Sequence, residues 1–192
     1  MIVINKNGVV YIAQSFYNNH SHIEEGDFIN HDENLLMFKP DGKTDSLIGV
    51  MGDSAHRQCD VLRYEDIFPK RLTKRELLDN TYYKIFNKLS SFGLCKSDCT
   101  CCDVFFAKKG RAYVVSGYGA ILEIDDFYAR SLHDQMAFAS YLKNKDKEPY
   151  DLIRSIYQSI ERAITKVQFP VVVLNTKTNE KVIIEREEII CQ

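Results

Sequence analysis

The chain has 192 residues, 45% of them apolar, and its 25 Lys and Arg stand against 27 Asp and Glu for a formal net charge of −2. That composition excludes a disordered chain, and the charge balance gives no global pull towards nucleic acid or an anionic membrane surface. The length fits one domain with a sizeable core, residues 1–192.

The opening MIVINKNGVV has no basic stretch ahead of a long apolar core and no small-residue cleavage site, so no secretory signal is expected. No apolar run approaches the ~18 residues that would span a bilayer, and a cytoplasmic location is the default expectation. Six cysteines in such a chain point to thiols or metal ligands rather than a disulfide framework.

In chain order, Ile2–Ile4 and Val9–Ala13 flank Asn5-Lys6-Asn7-Gly8, and Asn-Gly between apolar runs predicts a hairpin. Gln14 to Glu33 turns polar and reads as a long surface loop. Leu35–Phe38 and Leu47–Met51 then form a second hairpin across Lys39-Pro40-Asp41-Gly42. Asp53 and Ser54 can cap a first helix running to about Tyr64. Thr73 and Glu76 stand at capping-box spacing before a second helix, Lys74 to Ser91, with Leu77, Leu78, Tyr82, Ile85, Phe86 and Leu89 at helical intervals.

A cysteine-rich loop, Cys95–Cys102, leads into Val104–Ala107, too short for a helix, and Lys108-Lys109-Gly110-Arg111 is a tight turn into a returning strand, Ala112–Val115. Ser116-Gly117-Tyr118-Gly119 breaks that strand, and Ala120–Ile124 resumes as a third short one. Apolar residues here do not alternate with polar ones, as expected of strands covered on both faces. A third helix begins at Ser131 and ends near Lys143. A fourth follows Pro149, with Ile153, Ile156, Tyr157, Ile160, Ala163 and Ile164 on one face. Phe169–Leu174 and Val182–Ile184 close the chain as a last hairpin. This order predicts an α+β protein built as a four-layer αββα sandwich, two mainly antiparallel sheets stacked face to face with a helix pair outside each.

Three pieces carry a family resemblance: the opening strand pair around Asn7-Gly8, the strand Ile48-Gly49-Val50-Met51-Gly52 leading into a helix, and Tyr113-Val114-Val115-Ser116-Gly117-Tyr118-Gly119-Ala120-Ile121-Leu122-Glu123. Together with the element order they resemble the N-terminal-nucleophile hydrolases, in particular the proteasome β subunit and bacterial HslV. The resemblance implies peptidase chemistry by an amino-terminal threonine whose hydroxyl attacks while its own amine acts as base. It also implies rings of copies, with the Ser54–Tyr64 helix as a candidate contact. This sequence departs from the family pattern where the chemistry lies. Its first strand begins Met1-Ile2-Val3, and bulky Ile2 is expected to leave Met1 in place. The family's early aspartate falls at Ser15, its lysine near Asn34, and its Gly-Ser-Gly at Ala129-Arg130-Ser131.

Other groupings have a chemical and a plain reading. Cys95, Cys99, Cys101 and Cys102 could hold zinc as four thiolates or form a redox group, but adjacent Cys101 and Cys102 are awkward on one ion. His20, His22 and His31 with Asp27, Asp32 and Glu33 could chelate a divalent metal, or simply populate a surface loop. His56 with Asp60 reads as a surface contact at i, i+4, and His133 and Asp134 beside Ser131 as neighbours in a first helical turn. The leading expectation is a non-catalytic homo-oligomer or partner-binding protein, with a protein partner or ATPase unidentified. Two alternatives stay open: an amide hydrolase with a displaced nucleophile, Ser15 or Ser131, and a metal or redox module on the cysteine loop.

Overall fold

A computed structural model of the chain describes residues 1–15, 37–40, 43–52, 61–62, 67–95, 99–130, 134–164 and 169–186. Strands β1 (Ile2–Lys6) and β2 (Val9–Ser15) form the first hairpin, and Asn7 and Gly8 both take positive φ, 53° and 74°. Two left-handed residues make the turn that matches the twist of paired strands, which is why Asn-Gly stands there. The same device recurs at Lys109 (φ 46°) and Gly110 (φ 75°), between β5 (Cys102–Lys108) and β6 (Arg111–Val115).

The remaining strands are β3 (Met37–Phe38), β4 (Ser46–Gly52), β7 (Ile121–Glu123), β8 (Phe127–Ala129), β9 (Val171–Asn175) and β10 (Val182–Ile184). They assemble into two antiparallel sheets, ordered β10-β9-β2-β1-β8 and β3-β4-β5-β6-β7. The expected central hairpin, β5–β6, lies inside the second sheet. The expected hairpins at β3–β4 and β9–β10 are present too. Strand β8 was not expected. It pairs with β1 through Ile2 and Ala129, Val3 and Tyr128, and Ile4 and Phe127, and three residues directly after Asp125-Asp126 give too short a pattern to read.

A first turn, Lys74–Glu76, continues through π-helical Leu77–Thr81 into Tyr82–Ser91, and the three together make helix α1. Thr73 caps it as its spacing to Glu76 predicts, accepting from the Glu76 amide at 3.2 Å. The wider turn was not expected from a helical pattern. It keeps Leu77, Thr81, Ile85 and Leu89, four apart, all buried on one face, where strict 3.6-residue turns would rotate them away. Helices α2 (Asp134–Asn144) and α3 (Pro149–Ile164) pack on each other and on the first sheet.

Three cores separate four layers. Leu152, Ile153, Ile156 and Ile160 of α3 meet Ile2, Ile4, Ala13, Val171 and Val173 on the outer face of the first sheet. Val3, Val10, Ile12 and Val172 meet Leu47, Phe105, Ala107 and Val114 between the sheets. Ile48, Val50, Val104, Phe106 and Val115 meet Leu77, Ile85 and Leu89 of α1. Alternate residues of β5 thus serve two cores, each large apolar side chain contributing about 1.5–3 kcal/mol on full burial. The αββα arrangement read from the sequence is the one observed. The helix expected over Ser54–Tyr64 lies outside the described residues except Val61 and Leu62, and Leu62 is buried in the core beneath α1.

Candidate functional site at the head of the first strand

The two sheets meet differently at their two ends, and the polar end is where β1 begins. Met1 precedes β1 and packs into both the inter-sheet core and the core under α1. Gly49 of β4 leaves the room for it: a Cβ there would stand 3.1 Å from Met1 Sδ and 3.6 Å from its Cε. The carbonyl of Met1 accepts from the Arg130 amide at 3.3 Å. Its α-amine is buried, and loss of hydration brings its pKa from 8.0 down to about 6, opposed by the charge of Asp134 at the head of α2.

Arg130, directly after β8, sends Nη1 to Asp103 Oδ2 at 2.7 Å, tying the edge of the first sheet to the second. Asp103 is 5% exposed, and its Oδ1 accepts from the Gly117 amide at 3.1 Å. A hydrogen bond with the Tyr128 side chain, and then the charge of Asp103, raise the Arg130 pKa above its ordinary value. The carboxylate thus bridges a cation of one sheet and a backbone amide of the other, which fits a positioning role. Gly117 sits under the cysteine loop, where a Cβ would come within 3.2 Å of Cys99 Sγ and of the Cys102 carbonyl. Tyr82 of α1 donates to the Gly117 carbonyl at 3.3 Å and closes the turn from the other side.

No family model and no curated protein matches the sequence. Among solved structures, BPH from Thiobacillus denitrificans in complex with epoxomicin superposes with a TM-score of 0.71 at 15% identity, over 91% of this chain and 96% of that one. Anbu (ancestral β-subunit) from Yersinia bercovieri superposes at 0.62 and 14% identity, over 97% and 87%. Eukaryotic HslV from Trypanosoma brucei gives 0.51 and 11%, over 91% and 97%. The fold is that of the proteasome- and HslV-like N-terminal-nucleophile hydrolases.

Within this N-terminal-nucleophile fold, β1 itself carries Ile2, Val3, Ile4, Asn5 and Lys6, with no hydroxyl or thiol among them. Ser15 ends β2 opposite Val171 and is buried. Two-residue periodicity places its side chain on the same face as Tyr11 and Ala13, towards the helices, whereas Met1 packs between the sheets. Ser131, His133, His20, His22, His31, Asp27, Asp32, Glu33, Asn34, His56 and Asp60 lie outside the described residues. Asp134 is described, and it faces the Met1 amine electrostatically. Among the described residues no three His, Cys, Asp or Glu side chains are gathered where one ion could be held. Cys102 is buried at the start of β5.

Sequence reasoning missed the Asp103, Arg130 and Gly117 cluster. A usable signal was present: Asp103 is the one charged residue between Cys102 and Ala107, and a carboxylate within such an apolar run needs a partner. Among the described residues no helix is long and apolar enough to cross a membrane.

Proposed function

We propose that this chain is a non-catalytic protein on the proteasome- and HslV-like scaffold, acting through self-assembly or partner binding. The observation that carries the reading is the head of β1, where the Met1 thioether rests against Gly49 and the strand that follows, Ile2–Lys6, holds neither hydroxyl nor thiol. Desolvation leaves the α-amine there mostly neutral at neutral pH, so a proton acceptor is present. The partner it needs, a hydroxyl or thiol on the same strand, is missing from the sequence of β1. Exposed apolar side chains on α2, Met136, Phe138 and Leu142, supply a surface of the kind used in association between copies.

The test is native mass spectrometry of the full chain, run beside a panel of peptide substrates and an incubation with epoxomicin. The proposal predicts an assembly larger than one chain, no peptide hydrolysis, and a mass unchanged by epoxomicin. Turnover together with an epoxomicin adduct would establish the peptidase alternative, and a monomer at all concentrations would remove self-assembly.

A further inference from the structure

The four thiols from Cys95 to Cys102 differ in their surroundings. Cys102 points into the core beneath α1, 3% exposed, and burial pushes its thiol up to about 12. Cys95 is turned back on α1 with its Sγ 3.6 Å from the Phe86 carbonyl. Cys99 and Cys101 are both partly exposed and are folded on each other. The Cys101 amide donates to Cys99 Sγ at 3.1 Å, and Cys101 Sγ lies 3.8 Å from the Cys99 carbonyl.

Cys101 holds φ at 56°, a left-handed conformation that a residue with a Cβ adopts rarely and at some cost. Its surroundings maintain it. Thr100, between the two cysteines, donates its amide to the Gly117 carbonyl at 2.9 Å and its hydroxyl to the Cys102 carbonyl at 3.0 Å. The turn is therefore held at its middle residue while Cys99 and Cys101 on either side stay partly exposed.

We infer that Cys99 and Cys101 form a redox-active dithiol, which a low-molecular-weight disulfide converts reversibly into a Cys99–Cys101 disulfide. The Cys99 thiolate attacks one sulfur of the solute, forming a mixed disulfide and expelling one solute thiolate. The Cys101 thiolate then attacks Cys99 Sγ, forming the internal S–S bond and expelling the second. Two electrons pass from the protein sulfurs to the solute disulfide, and the two thiol protons end on the expelled thiolates. Cys99 is the first attacker because its sulfur is already held in place by the Cys101 amide, next to the residue that resolves the mixed disulfide. A bridge across one intervening residue closes a tight ring, so the oxidised form is readily reduced. The pair also touches the candidate site: Gly117, under Cys99, is the amide donor to Asp103. This inference rests on the loop alone and is independent of the proposed function.

The experiment equilibrates the full chain with glutathione buffers from reduced to oxidised, alkylates the remaining thiols under denaturing conditions, and assigns each cysteine by peptide fragmentation. Joint loss of alkylation at Cys99 and Cys101, with alkylation kept at Cys95 and Cys102 and full recovery on reduction, is expected. Cys101→Ser should accumulate one unresolved glutathione on Cys99, and Cys102→Ser should leave the pair's oxidation unchanged. Far-ultraviolet circular dichroism confirms that each variant is folded. Full alkylation of Cys99 and Cys101 across the whole series, or a bridge to Cys95, Cys102 or a second chain, would overturn the inference.

Discussion

The two ends of the sandwich are closed by opposite means. At one end the turns of two hairpins, one from each sheet, touch backbone to backbone: a Cβ on Gly110 would stand 2.7 Å from the Gly8 carbonyl oxygen. Asn5 locks them, donating from Nδ2 to the carbonyls of Gly110 at 2.8 Å and Ile124 at 3.4 Å. At the other end a flexible thioether, a desolvated amine and the Asp103–Arg130 pair fill the space between the sheets. The first end is a joint that admits no added atom at Gly110, and the second holds a long flexible side chain and an amine that titrates.

The largest effect expected from breaking this contrast is at the joint. Gly110→Ala adds a left-handed strain of about 1–2 kcal/mol to an overpacking term of about 1–3 kcal/mol, since its Cβ would press on the Gly8 backbone. Gly8→Ala has the same positive φ but meets nothing within 4 Å, so only the strain term applies. Urea unfolding of the two variants should separate them, and equal losses would mean that the turns do not bear on each other.

The second effect belongs to the open end and follows from the amine. Its pKa is about 6 when folded and near 8.0 when unfolded, so between these values the unfolded chain binds the extra proton. Stability therefore rises across that window, and the contribution of about 2–3 kcal/mol is lost as pH falls from about 8 to about 6. Unfolding curves through the window, with an NMR titration of the amine in protein carrying 15N-labelled methionine, check both the sign and the origin. A midpoint near 8 would show the amine to be hydrated.

A smaller change sharpens the same end. Asp103→Ala leaves the Gly117 amide without its buried acceptor and should cost about 1–3 kcal/mol. Asp103→Asn keeps an acceptor oxygen and should cost less. The half-exposed Arg130 retains water, so losing the charge alone is a modest effect. Equal destabilisation by both variants would assign the whole contribution to the ion pair.

Most of the scaffold was legible because its signals are local. Asn7-Gly8, Lys109-Gly110, the Thr73–Glu76 cap and the run Val104–Ala107 each announce an element within a few residues. The π turn was not legible, since Leu77 to Leu89 fits a helix until the sheet beneath decides which side chains must face it. Strand β8 was missed because three residues gain strand character only by pairing with β1. The polar end was hardest to read: Met1, Gly49, Asp103, Gly117 and Arg130 come from five separate places in the chain, and only the stacking of the sheets brings them together.

The proposed function turns on the head of β1 carrying no reacting group. Intact-mass measurement with N-terminal sequencing, on the same preparation assayed for peptide hydrolysis, tests it most directly. Protein that begins at Met1 and shows no turnover is the expected result. Protein that begins at a serine, threonine or cysteine and loses hydrolytic activity when that residue is blocked would contradict it.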